Sequence, residues 1–166
     1  VIGAEVSGID LTQIDEVTAA SLRRLLADRG VLVFRDQQLD HAAHKRAAAC
    51  FGTGELHYHP LATASGSADP AVLTVKATAS STFAAGDGWH TDVSCDPAPI
   101  RASLLYMHEM PESGGGDTVF ASMTEAYALL SEPVQELIGN LRAVHDVAAP
   151  RVDRHDARAR DLLLAR

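Results

Sequence analysis

The spacing of apolar residues changes character along the chain. In the first third, Thr18, Leu22, Leu25, Leu26 and Arg29 fall at helical spacing behind Asp15. This pattern predicts a helix over roughly 16–28 with Asp15 as its cap. Gly30 stands where helices commonly end on a left-handed residue. Val31-Leu-Val-Phe34 is a short apolar run that reads as a buried strand, and Val1 to Ile9 is consistent with a strand or strand pair. Asp40 is placed to cap a second, alanine-rich helix, His41 to Phe51, closed by Gly52.

Beyond Phe51 the rhythm breaks. Residues 53–69 are rich in Gly, Ser, Ala and His and read as loop. Ala71 to Lys76, Trp89 to Val93, Ile100 to Met107, Asp117 to Ala121 and Leu141 to Val147 read as strands. The small polar stretch 77–88 between the first two has the character of a lid. Ser122-Met-Thr-Glu125 fits a capping box opening a helix through Leu130. Ser131 with Pro133 opens another through Ile138. The charged and apolar tail from Asp153 reads as helical. Strands mixed with peripheral helices, without a regular βαβ rhythm, predict an α+β fold in one domain.

Composition narrows the function classes. The 166 residues are 46% hydrophobic and 22% charged, as in a globular domain. A net charge of −8 argues against nucleic acid and anionic membrane as general partners. It leaves room for an anionic small molecule in a locally basic pocket. The two cysteines, Cys50 and Cys95, form no CxxC or disulfide framework, and a reduced cytoplasmic protein is expected. The N-terminus shows no signal peptide, and no apolar run has the length of a transmembrane helix.

The sharpest chemistry is Trp89-His90-Thr91-Asp92. On a strand, residues i and i+2 share a face, so His90 and Asp92 would aim an imidazole and a carboxylate at one point. Those are two of the three ligands of the 2-His-1-carboxylate triad of non-haem iron oxygenases, which leaves open positions for co-substrate and oxygen. Taken alone, an HxD pair is more often a surface His beside a solvated carboxylate than a ligand pair.

The surrounding stretches supply context. In chain order they are residues 1–11, Gly30-Val-Leu-Val-Phe-Arg-Asp-Gln37, Gly54-Glu-Leu-His-Tyr-His-Pro60, Trp89-His-Thr-Asp-Val93, Gly115-Gly-Asp-Thr118 and Leu141-Arg-Ala-Val-His-Asp146. Together they resemble the TauD/TfdA family of taurine/alkylsulfonate and phenoxyacetate dioxygenases. The resemblance implies a double-stranded β-helix (jelly roll) and an Fe(II)- and 2-oxoglutarate-dependent dioxygenase. Such an enzyme hydroxylates a small substrate while 2-oxoglutarate is converted to succinate and CO₂. It also implies that His90 and Asp92 hold the iron and act catalytically, and that Thr118 hydrogen-bonds a 2-oxoglutarate carboxylate. Gly115 and Gly116 would turn the backbone beside the site, and His59 would contact the substrate's anionic group. His59 reads as well as a surface loop histidine; for Thr118 the alternative is an ordinary strand residue, which the preceding Gly-Gly-Asp disfavours. The implied partners are a small-molecule substrate, 2-oxoglutarate and O₂, with no nucleic acid or membrane and with homo-oligomerisation left open.

The sequence also departs from the family pattern. The family's second His ligand and its 2-oxoglutarate-binding Arg lie in a region this sequence does not reach. The expectation is therefore an N-terminal half, a single domain over 1–166 lacking the C-terminal part of the jelly roll. None of the other histidines is nominated as third ligand. His108 is too near in sequence, His145 matches another family position, and His155 sits in the tail. His41 and His44 are expected to be solvated on the second helix. Taurine-type members carry an aromatic residue where this chain has Ala62, which widens the expected substrate to a sulfonate, alkyl sulfate or carboxylate. Arg101 reads as an anion contact or as a solvated strand residue. Two rival readings stand beside the main one: a tailoring oxygenase of the same fold acting on a non-sulfonate, and a non-catalytic, degenerate metal-binding β-fold module.

Overall fold

The computed structural model describes residues 1–52, 54–57, 69–78, 80–81, 88–112 and 114–145. Its best-packed part is the first third. There β1 (Ala4–Val6) runs into a 3₁₀ turn (Leu11–Gln13), then α1 (Glu16–Arg29), β2 (Leu32–Phe34) and α2 (His41–Phe51). Further on lie two short helices, α3 (Met123–Ala128) and α4 (Glu132–Ile138).

Local chemistry sets the helix ends. Asp15 accepts from the Thr18 amide at 2.8 Å, and Asp40 from the Ala43 amide at 2.7 Å, each satisfying a donor that the first helical turn leaves unpaired. At the far end of α1, Gly30 adopts φ 71° and returns its N–H to the Leu26 carbonyl. A side chain would strain that left-handed conformation. Ser122 caps α3 by accepting from the Glu125 amide, and Pro133 lies in the first turn of α4.

β1 and β2 pair in parallel, with Ala4 opposite Leu32, Glu5 opposite Val33 and Val6 opposite Phe34. Parallel neighbours need a crossover, and α1 supplies it. The chain thus opens with a βαβ unit that the sequence pattern did not predict. Two short strands cannot stand alone. They are held by α1, which packs on both β2 and α2. On α2 the buried residues are Ala43, Ala47 and Phe51, one per turn on a single face. The small side chains of Ala43 and Ala47 let Leu11 and Leu39 close against the helix, with Ile9, Ile14, Phe34, Leu104 and Tyr106 packed around them. Phe51 meets Phe34 edge-on, with ring centroids 6.4 Å apart.

Gln37 ties this unit together. Its amide donates to the carbonyls of Ile9 at 3.0 Å and Arg35 at 2.9 Å, while its Oε1 accepts from the Leu11 amide at 2.9 Å. The preceding Asp36 has φ 57°, a left-handed conformation that aspartate adopts more readily than most residues.

The later strands expected from the sequence are not formed. Ala71–Lys76, Ile100–Met107, Asp117–Ala121 and the described part of Leu141–Val147 lie outside any ladder, and so does Trp89–Val93, which runs from a bend at Trp89 into a turn at Asp92. A strand needs a neighbour to take its backbone hydrogen bonds, and among the described residues these segments meet none. Large apolar side chains there stay open to solvent, including Leu105, Val119, Phe120 and Leu141. The architecture of the described residues is α+β with a small parallel sheet. The predicted tail helix from Asp153 lies outside the described residues.

Candidate active site

His90 and Asp92 come together, although not by the expected route. Residues 92–95 form a turn in which the Asp96 amide donates to the Val93 carbonyl at 3.1 Å, and Val93 takes a left-handed φ of 50°. The shared strand face is thus replaced by a turn. The two side chains still converge, with His90 Nε2 3.1 Å from Asp92 Oδ1. Both are about half exposed, at 55% and 50%.

The other side of each group is occupied. His90 Nδ1 lies 3.0 Å from the Gly88 carbonyl. A carbonyl only accepts, so Nδ1 is the donor, and Nε2 is the nitrogen turned toward Asp92. Asp92 Oδ2 accepts from the Ser103 hydroxyl at 2.6 Å, which leaves Oδ1 as the oxygen facing the imidazole. The imidazole nitrogen and the carboxylate oxygen thus face each other at 3.1 Å, a separation at which a proton or a metal ion can be shared between them.

A metal ion fits this test. Neighbouring ligands at right angles on an octahedral centre, each about 2.1 Å from the ion, stand about 3.0 Å apart. The Nε2–Oδ1 separation is 3.1 Å. One imidazole nitrogen and one carboxylate oxygen also suit non-haem iron. Among the described residues, no group of three His, Cys, Asp or Glu side chains is placed to hold a metal ion.

The remaining candidates are placed as follows. Thr118 is exposed, and no hydrogen bond among the described residues joins it to the His90–Asp92 pair. Before it, Gly114, Gly115 and Gly116 all have left-handed φ, at 72°, 92° and 75°. Consecutive conformations of this kind suit residues without Cβ. His59 and Ala62 lie outside the described residues, as does His155. His108 stacks edge-on against Tyr106, with centroids 4.6 Å apart, and does not join the pair. His145 Nδ1 meets the Ser94 hydroxyl at 2.9 Å, so the segment after α4 touches the turn that carries Asp92. Arg101 is exposed and lines an open cleft with Glu16, Arg23 and Cys50.

His44 is a correction. Expected to be solvated, it is half-buried, its Nε2 2.9 Å from the Leu104 carbonyl and its ring edge-on to Tyr106. Its helical position gave no sign of this, because the partner is 60 residues away. Gly88 and Ser103 also escaped sequence reasoning. Any residue offers a carbonyl, and a serine within the apolar run 100–107 carries no motif.

A family model described as "Taurine catabolism dioxygenase TauD, TfdA family" matches residues 1–162. The chain belongs to the TauD/TfdA family. Among its relatives, an "Alpha-ketoglutarate-dependent sulfonate dioxygenase" of Saccharomyces cerevisiae is 32% identical over 152 residues, 87% of this chain and 37% of that protein. An "Alpha-ketoglutarate-dependent sulfate ester dioxygenase" of Pseudomonas putida is 34% identical over 152 residues, 87% of this chain and 46% of its own length. An "Alpha-ketoglutarate-dependent dioxygenase cnsP" of Penicillium expansum is 31% identical, again across 87% of this chain and 41% of the relative. The TauD/TfdA chain described here thus spans less than half the length of these relatives. No solved structure matches it significantly.

Proposed function

We propose that this TauD/TfdA chain is the N-terminal part of an Fe(II)- and 2-oxoglutarate-dependent dioxygenase that hydroxylates a small anionic substrate, a sulfonate, alkyl sulfate or carboxylate. The observation that carries the proposal is the His90–Asp92 pair, Nε2 and Oδ1 at 3.1 Å with their outer atoms already engaged. The relatives named for sulfonate and sulfate ester dioxygenation support the substrate class. In this reading the whole protein is a jelly roll, and its remaining His ligand and 2-oxoglutarate-binding Arg come from outside this sequence.

His90 and Asp92 would hold the iron. When bound, iron supplies oxygen activation and the oxidative decarboxylation of 2-oxoglutarate to succinate and CO₂. The chain's own contribution is to orient and bind. The Gly88 carbonyl fixes the tautomer of His90, so that Nε2 is the free donor atom. Thr118 donates its hydroxyl to a carboxylate of 2-oxoglutarate, a charge-assisted bond, and the glycines before it give the backbone the turn that brings the co-substrate close. His59 is assigned the substrate's anionic group on the family resemblance.

The test is succinate formation by the full-length protein with Fe(II), 2-oxoglutarate and a panel of alkyl sulfonates, alkyl sulfates and carboxylates. His90→Ala and Asp92→Ala should each abolish it. Undiminished succinate from either variant would overturn the ligand assignment. Turnover confined to non-anionic substrates would favour a tailoring oxygenase of the same fold. Iron binding without turnover of any substrate would favour the non-catalytic module.

A further inference from the structure

The sequence motif accounts for His90 and Asp92 but not for what holds the carboxylate in place. Asp92 is exposed and sits on a turn, where a free side chain samples several rotamers. Only one of its oxygens is aimed at His90. The other accepts from Ser103 Oγ at 2.6 Å, within the range of a short, charge-assisted O–H···O⁻ bond.

This contact spans 11 residues and is prepared by the loop between the two. The Asp96 amide closes a turn on the Val93 carbonyl at 3.1 Å. Asp96 Oδ1 then accepts from the Ala98 amide at 2.8 Å, making a second turn that sends the chain back. On the far side, His145 contacts Ser94 at 2.9 Å. Ser103 itself lies next to Leu104, whose carbonyl accepts from His44 on α2. The hydroxyl is therefore anchored to the packed part of the molecule, and Asp92 is anchored to the hydroxyl.

We infer that Ser103 is a positioning residue for the metal-binding carboxylate: by holding Asp92 Oδ2 it presents Oδ1 alone, beside His90 Nε2, as a monodentate ligand. The inference rests on the assignment of His90 and Asp92 as a metal-binding pair and adds a residue that the motif does not contain. Its physical basis is general. A ligating carboxylate whose outer oxygen is already hydrogen-bonded loses less rotamer freedom on binding, and it is kept from turning that oxygen to the metal. Losing such an outer partner costs about 10- to 100-fold in metal affinity.

The experiment is anaerobic titration of the full-length protein with Co(II), an optical stand-in for Fe(II), followed by the visible ligand-field bands. Wild type, Ser103→Ala, Ser103→Thr and His90→Ala are compared. Because Ser103 is exposed, Ser103→Ala should fold as wild type does, which circular dichroism checks; Ser103→Thr keeps the hydroxyl and serves as the rescue. Expected is Co(II) binding about tenfold or more weaker in Ser103→Ala, with altered bands, and near-wild-type affinity and bands in Ser103→Thr. Wild-type affinity and bands in Ser103→Ala would overturn the positioning role while leaving the ligand pair intact. Equal weakening in the alanine and threonine variants would overturn it too, because the loss would not follow the hydroxyl. If wild type binds no Co(II) more tightly than His90→Ala does, the ligand pair itself fails, and the role of Ser103 fails with it.

Discussion

His44 Nε2 donates to the Leu104 carbonyl at 2.9 Å, joining α2 to the segment that carries Ser103. Beside it, Tyr106 donates its phenolic hydroxyl to the Gln37 carbonyl at 3.2 Å and packs edge-on against the His44 ring. These contacts connect the well-packed first third of the chain to the part that holds the candidate site. His44→Ala removes one hydrogen bond and one aromatic contact, and should lower stability by about 1–2 kcal/mol. Urea unfolding measures the loss, and amide exchange locates it, with faster exchange expected near Leu104 and Tyr106. If midpoint and exchange are unchanged, residues 100–107 are held by something else.

The elements legible in the sequence are those that local chemistry decides. Asp15 with Gly30, Asp40 with Gly52, and Ser122 with Glu125 mark helix ends because cap and capped amide lie within a few residues of each other. The strands within Val1–Ile9 and Val31–Phe34 were both legible, but their parallel pairing was not, since pairing depends on how α1 crosses over. The later strand assignments failed for the same reason in reverse. Their apolar residues are present in the sequence, but a ladder needs a partner that the described residues do not supply. At the site, spacing rightly joined His90 to Asp92 while naming the wrong backbone for them. Gly88, Ser103 and His44 act through contacts that no short pattern encodes.

Three carboxylates make stability sensitive to acid. Asp15 is held below the ordinary value of 3.8, chiefly by accepting from the Thr18 amide. Asp10 is lowered first by the Thr12 hydroxyl, and Asp69 first by its hydrogen bond from Lys45. In the unfolded chain each returns to about its ordinary value, so the folded state binds these protons more weakly. Their contribution is therefore fully present above the unfolded value of 3.8 and is lost as pH falls through the lower folded values. Melting temperature should decline below about pH 4. Asp15→Asn keeps a capping oxygen without a titrating proton, so it should hold its pH 7 stability while declining less steeply in acid. An acid slope identical to wild type would remove Asp15 from the account.

The last prediction separates co-substrate binding from metal binding. Thr118 is solvent-exposed and is preceded by Gly114, Gly115 and Gly116, all in left-handed conformations that leave the backbone without side chains to block an approaching carboxylate. If its hydroxyl donates to 2-oxoglutarate, Thr118→Ala should weaken co-substrate affinity by about 1–3 kcal/mol, because the lost partner is charged. Thr118→Ser should retain most of the affinity, since the donor survives. Calorimetric titration of 2-oxoglutarate into the full-length, Co(II)-loaded protein measures both, and the Co(II) affinity of the same variants serves as control. Weaker 2-oxoglutarate binding with unchanged Co(II) affinity places Thr118 on the co-substrate. Unchanged 2-oxoglutarate affinity removes it from the site. A parallel loss of both would mean that the substitution disturbs the His90–Asp92 pair instead.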